Sequence, residues 1–205
     1  VEGVGYEPVG GFRRAGTELQ SAPSDVRCLL RDAALCSDAT LRHQEGQWTI
    51  TGDPTEAALV VAAEKAGVAV ADERGRHPRR DAIPFESENQ FMATLHDDDG
   101  GGRRVIVKGA PEIVLRRCGH GTADPADAAL HAEVERMAKD GMRVLALAEK
   151  SWDQSRHELR LDPAGALELR RRVDRRARPF ELLEPRPQLA TGACREPAAD
   201  LTGRL

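Results

Sequence analysis

The chain has 205 residues, 40% of them hydrophobic and 31% charged, enough for one sizeable domain with a tail. A net charge of −4 gives no global attraction to nucleic acid or to an anionic membrane surface, so anion binding must come from a few local residues in a pocket. No apolar run approaches the roughly 18 residues that would span a bilayer.

The opening VEGVGYEP has neither an initiator Met nor a basic-then-apolar leader, as expected of a soluble piece of something longer. GVGYEPVGGF, with turn residues around short apolar pairs, predicts an extended or hairpin segment. From Pro23, PSDVRCLLRDAALC places Val26, Leu29, Leu30, Ala33, Ala34 and Leu35 at helical spacing. QWTITG alternates as a strand does and stops at Gly52. DPTEAALVVAAEKAG then predicts a helix that opens on Asp53 and Pro54 and closes on Gly67. The charged, turn-rich VAVADERGRHPRRDA predicts a surface loop.

DAIPFESENQFMATLHDDDGGGRRVIVKGA predicts two strands joined by an Asp/Gly turn. Pro111 and Glu112 begin a helix through Cys118, a second helix fits DPADAALHAEVERMAKDG, and MRVLALAEK is again a strand. This order predicts an α+β fold, a twisted and mainly antiparallel sheet flanked by α-helices. Residues 1–150 form the domain. Residues 151–205, rich in Arg, Pro and Ala, form a solvated tail, with a short helix near 163–173 and a partner-binding arginine cluster as open alternatives.

The four cysteines, Cys28, Cys36, Cys118 and Cys194, lack C-x-x-C spacing and the six histidines are scattered, so no metal site is expected and reduced thiols are the default. Lys108 ends an apolar strand and is followed by Gly109 and by Pro111, which starts a helix whose free N–H groups attract anions. It can meet a phosphate there or simply snorkel to water. Phe85, beside ESENQ in a chain with 3% aromatic residues, is a stacking platform for a base or a core side chain. Glu56, in the first turn of its helix, can accept from an exocyclic amine or serve the helix end. Arg143, at the start of a strand, can grip a phosphate or form a rim ion pair.

Taken together, CSDATL, GDPTEAAL, IPFESENQFMATL, VKGAPEIVLRRC and GMRVLALA resemble the nucleotide-binding domain of P-type cation-transporting ATPases, in the group that includes calcium and sodium/potassium pumps. The resemblance covers about residues 1–150. It implies that Phe85 stacks on adenine and Glu56 bonds its amino edge. Lys108 and Gly109 then line the pocket near base and phosphates, Arg143 holds the phosphate chain, Leu145 packs on the nucleotide and Met92 sits on the pocket wall. It also implies ATP as ligand, Mg2+ held mainly by a phosphorylation domain outside this chain, and phosphorylation and actuator domains of the same pump as partners. The location implied is the cytoplasmic part of an integral membrane protein.

Two departures temper this. Gln90 stands where the family usually has a lysine, which implies weaker phosphate affinity by about 1 kcal/mol or less. The phosphorylated D-K-T-G-T loop does not occur, so turnover by this chain alone is not expected. A third departure is the Arg/Pro tail, which lacks the family's apolar return strand and reads as an altered or out-of-frame C-terminus. An autonomous phosphotransferase is disfavoured by the absence of a G-x-x-x-x-G-K-[ST] loop. An inert remnant that keeps the fold without nucleotide binding is the alternative.

Overall fold

The computed structural model describes residues 5–14, 16–118, 125–152, 158, 159 and 161. The expected tail features at 163–173 and beyond, and Cys194, lie outside the described residues. An antiparallel pair, β1 (Phe12–Arg14) and β2 (Thr17–Leu19), leads into helix α1 (Ser24–Leu35). A hairpin follows, β3 (Thr40–Gln44) with β4 (Gln47–Thr51), tied by the cross-strand rings of His43 and Trp48. Helices α2 (Pro54–Lys65) and α3 (Val70–Arg76) precede the main sheet. That sheet runs β5 (Arg79–Glu86), β6 (Phe91–Asp97), β7 (Arg103–Gly109) and β8 (Ala146–Trp152), in that spatial order and antiparallel throughout. Helices α4 (Pro111–Arg117) and α5 (Pro125–Lys139) lie in the chain between β7 and β8. The architecture is the α+β arrangement expected from the sequence.

Two local expectations are corrected. The segment read as a surface loop contains α3, and the single strand read through Phe85 is two strands with a tight turn between them. Helix α3 is short and buries Val70 alone, so no apolar periodicity marks it. Its ends are nonetheless well provided. The Glu64 carboxylate accepts from the Val70 N–H at 3.0 Å, Asp72 and Glu73 stand in its first turn, and Arg74 and Arg76 in its last, each charge matching the helix dipole.

Period-two alternation decides what each sheet face buries. Phe91, Ala93, Leu95, Val105, Val107 and Ala146 point to one face and pack with Val114 of α4. Met92, Ile106 and Leu147 point to the other and pack on Leu29, Ala33, Leu35 and Cys36 of the α1 segment. Both faces are covered, so β6 and β7 read as continuous apolar runs. Helix α1 is shared, since Leu30 and Ala34 turn away from the sheet toward Val60 and Ala63 of α2.

The covered α1 face of the sheet also carries polar groups, which bond one another in part. Arg104 donates to Asp32 of α1 at 2.9 Å and to Glu149 of β8 at 3.2 Å. Burial, then the nearby Asp32 charge, push the Glu149 carboxyl above its ordinary value, against the pull of Arg104. His96 Nδ1 donates to the His77 carbonyl at 3.0 Å, which leaves Nε2 to accept from the Thr94 hydroxyl at 2.9 Å. That tautomer is neutral, in keeping with a pKa lowered by burial to about 4. Cys36 and Cys118 are free thiols, as expected.

Candidate functional site

The site is built where α1 ends. The turn Cys36–Ala39 lies between α1 and β3, and the motif that starts α2 is pressed against it. A Cβ at Gly52, whose φ is +110°, would stand 2.9 Å from the Ala39 Cα, so the backbone closes there because position 52 has no side chain. Asp53 then caps α2, its carboxylate accepting from the N–H groups of Thr55 at 2.8 Å and Glu56 at 3.2 Å, and Pro54 occupies the first turn. The Glu56 N–H, aided by Thr55 and by the charge of Arg143, holds the Asp53 carboxyl below the usual range. The cap of this helix is therefore Asp53, which frees the Glu56 side chain for other work.

Glu56 uses both oxygens. Oε2 accepts from the backbone N–H groups of Asp38 at 2.7 Å and Ala39 at 3.3 Å, and Oε1 accepts from Lys108 Nζ at 2.8 Å. Lys108 is 5% exposed; it donates a second bond, at 2.8 Å, to the Ser37 hydroxyl, which itself donates to the Ala33 carbonyl at 2.7 Å. The strand ends on a lysine because alternation puts residue 108 on the α1 face, where a carboxylate and a hydroxyl meet it. Lys108 does not snorkel.

A carboxylate has about four lone-pair sites and an ammonium three protons. Among the described residues, Glu56 Oε2 is filled, Oε1 keeps one acceptor place, and Lys108 Nζ keeps one N–H. The pair thus presents an acceptor beside a donor, the pattern needed to meet a heteroaromatic edge that carries an amine next to a ring nitrogen.

Gly109 serves the backbone. A Cβ there would lie 2.6 Å from the Phe91 Cβ and closer still to the Gln90 carbonyl oxygen. Phe91 is its cross-strand partner, and the Gln90 carbonyl accepts from the Ala110 N–H at 2.9 Å. Gln90 itself, exposed and with φ +56°, closes the β5–β6 turn by donating its N–H to the Glu86 carbonyl at 2.8 Å. The β5–β6 turn is thereby hooked to the end of β7.

The remaining residues singled out in the sequence are dispersed around this pair. Phe85 is 55% exposed on β5, within the register shift between Ile83 and Glu86. Met92 pairs with Lys108 across β6 and β7 but is 2% exposed and belongs to the core beneath. Arg143 is exposed in the segment before β8 and acts on the Asp53 carboxyl, and Leu145 is half-buried directly ahead of β8. Arg143 makes no hydrogen bond or ion pair with Glu56. Sequence reasoning missed Ser37, Asp38, Arg74 and Arg79. Of these, Ser37 and Asp38 sit in the CSDATL motif, which was the available signal.

The comparisons with known proteins follow this geometry. Residues 25–174 match the family described as P-type ATPase, cytoplasmic domain N. The chain belongs to that family. This N domain is 40% identical over 172 residues to cation-transporting ATPase pma1 of Synechocystis, covering 78% of the chain and 19% of the relative. It is 34% identical over 153 residues to calcium-transporting ATPase 1 of Lactococcus lactis, covering 71% and 17%. With the sodium/potassium exporting P-type ATPase cta3 of Schizosaccharomyces pombe it shares 36% over 132 residues, covering 62% and 13%. The chain spans less than a fifth of the length of each of these relatives. Among the described residues of the N domain, no helix is long and apolar enough to cross a membrane.

Proposed function

We propose that the N domain binds ATP as a module of a cation-transporting pump and positions it for phosphoryl transfer to an aspartate on a separate phosphorylation domain. The observation that carries this reading is the Lys108–Glu56 pair, its lysine buried and its carboxylate partly exposed, which after its internal hydrogen bonds keeps one donor and one acceptor. The amino group of adenine donates to Glu56 Oε1 while a ring nitrogen accepts from Lys108. Guanine offers a carbonyl where adenine has the amine, so it opposes the carboxylate with an acceptor. Phe85, exposed on β5, supplies the stacking face, and Arg143 the contact to the phosphate chain, with Leu145 against the nucleotide. Gly109 and Gln90 set the pocket's edge, and Met92 supports it from the core.

The contribution of this domain is positioning, with Mg2+ and the acceptor carboxylate brought by the phosphorylation domain and the cycle completed by an actuator domain. The functional unit we propose is residues 1–150, with 151–205 as its tail. Base stacking contributes about 1 to 3 kcal/mol. With few charge contacts, the Kd for ATP is then about 0.1 to several mM.

The test is an ATP titration of the chain followed by amide chemical shifts, with Phe85→Ala alongside. Saturable shifts around Glu56, Phe85 and Lys108 that disappear in the variant support the reading. A second reading, a fold retained without nucleotide binding, is favoured by the β5–β6 turn, where Glu86 and Glu88 flank Phe85 and Gln90 brings no charge. A flat titration of the folded chain would select it.

A further inference from the structure

Glu56 and Lys108 take their partners from the Cys36–Ala39 turn, but it is two arginines that hold the turn. Arg79 Nη2 donates to the carbonyls of Leu35 at 2.9 Å and Ser37 at 3.0 Å, and its Nη1 donates to the Asp38 carboxylate. Arg74 Nη2 meets the carbonyls of Ala34 at 3.0 Å, Ser37 at 2.9 Å and Ala39 at 3.0 Å. A helix end leaves its last carbonyls without partners and carries partial negative charge, so guanidinium groups suit it twice over. The two forks grip every described residue from Ala34 to Ala39 except Cys36, whose thiol donates to the Ile106 carbonyl at 3.6 Å.

We propose that Arg79, assisted by Arg74, is a positioning residue of the nucleotide edge. It holds the Asp38 and Ala39 N–H groups on Glu56 Oε2 and the Ser37 hydroxyl on Lys108 Nζ, and so sets the direction in which the remaining acceptor on Oε1 points. This rests on the ATP-binding reading and deepens it: base discrimination depends on a residue that touches no nucleotide. With the fork removed, the turn loses three bonds, Glu56 loses the orientation of its two backbone donors, and its carboxylate is free to turn. Adenine then loses its advantage over guanine. The Arg79 side chain is 30% exposed, so its removal empties little core.

The experiment compares the wild-type chain with Arg79→Ala and Arg79→Lys. Hydrogen exchange of the Asp38 and Ala39 amides is measured without nucleotide, and ATP and GTP are titrated separately. A lost hydrogen-bond set of this kind corresponds to about 2- to 10-fold in affinity. The expected result is faster exchange at Asp38 and Ala39, an ATP Kd raised by that factor, and an ATP-to-GTP preference that falls toward one. Arg79→Lys, which keeps the charge without the fork, falls between. A merely structural arginine would lower the unfolding midpoint but leave the base preference of the folded protein unchanged, and that outcome overturns the proposal. Unchanged exchange at Asp38 and Ala39 overturns it equally. If the wild type binds no ATP, the nucleotide reading fails, and the exchange rates still decide whether Arg79 orients the donors of Glu56. Should Arg79→Ala not fold, Asp38→Asn on the exposed side of the same contact is the milder variant, read in the same way.

Discussion

Strand β7 carries two buried cations on the same face, Arg104 and Lys108, and they meet opposite fates. Arg104 lies near the start of the strand under α1, with its carboxylate partners Asp32 on α1 and Glu149 on β8. Among the described residues, Asp32 Oδ2 and Arg104 Nε and Nη2 are buried without a hydrogen-bond partner, so the cluster is enclosed but imperfectly satisfied. Lys108 stands four residues further on, near the other end of the strand, where a loop motif arrives. Its pair with Glu56 is well bonded and keeps one open side. The groups that neighbouring elements bring to each end of β7, more than residue type, separate the enclosed cluster from the pair we propose as the nucleotide site.

The sharpest way to break this comparison is Arg104→Met. Removing Arg104 leaves Asp32 with Arg31 alone and takes the guanidinium donor from Glu149, and should lower stability by about 3 kcal/mol. Urea unfolding reads the loss. ATP affinity of the folded fraction should stay within about 2-fold, since sites without shared partners act independently. A large loss of affinity would mean that the two ends of β7 are coupled.

Next in size is the acid response. The His96 pKa is lowered to about 4 by burial against an ordinary 6.5, so the unfolded chain takes up a proton that the folded chain refuses between those values. Stability therefore falls as pH drops from about 6.5 to about 4 and levels off below, by on the order of 3 kcal/mol in all. Urea midpoints at pH 7 and pH 5 would check this, with His96→Gln expected to flatten the slope.

Lys108→Met should behave in the reverse manner to Arg104→Met. Glu56 keeps its backbone donors and is partly open to water, so stability falls by about 1 to 3 kcal/mol. ATP binding, measured by the same shift titration, should weaken by about 10-fold or more if Lys108 is the donor to the base that we propose. The smallest effect is expected for Gln90→Lys. An exposed added charge beside Phe85 should improve ATP affinity by about 1 kcal/mol or less. The gain should fade with salt and leave AMP binding nearly as it was.

Several features were legible before any fold was known. The apolar run of β7, the Asp53-Pro54 start of α2 and the Pro111 start of α4 are local patterns, and each formed as expected. The five motifs, taken in order, carried the family. The β5–β6 turn was hidden because its left-handed position holds Gln90, where a glycine or asparagine would have marked it.

By itself the sequence determined most of the elements and the family, because these follow from periodicity and from motifs of residues close together in the chain. The tertiary structure alone decided which groups meet. Lys108 and Glu56 are 52 positions apart, and Arg79 and Asp38 are 41. No local propensity encodes such distances. They are settled when α1 packs on the sheet and brings its last turn, its carbonyls held by Arg74 and Arg79, to the end of β7.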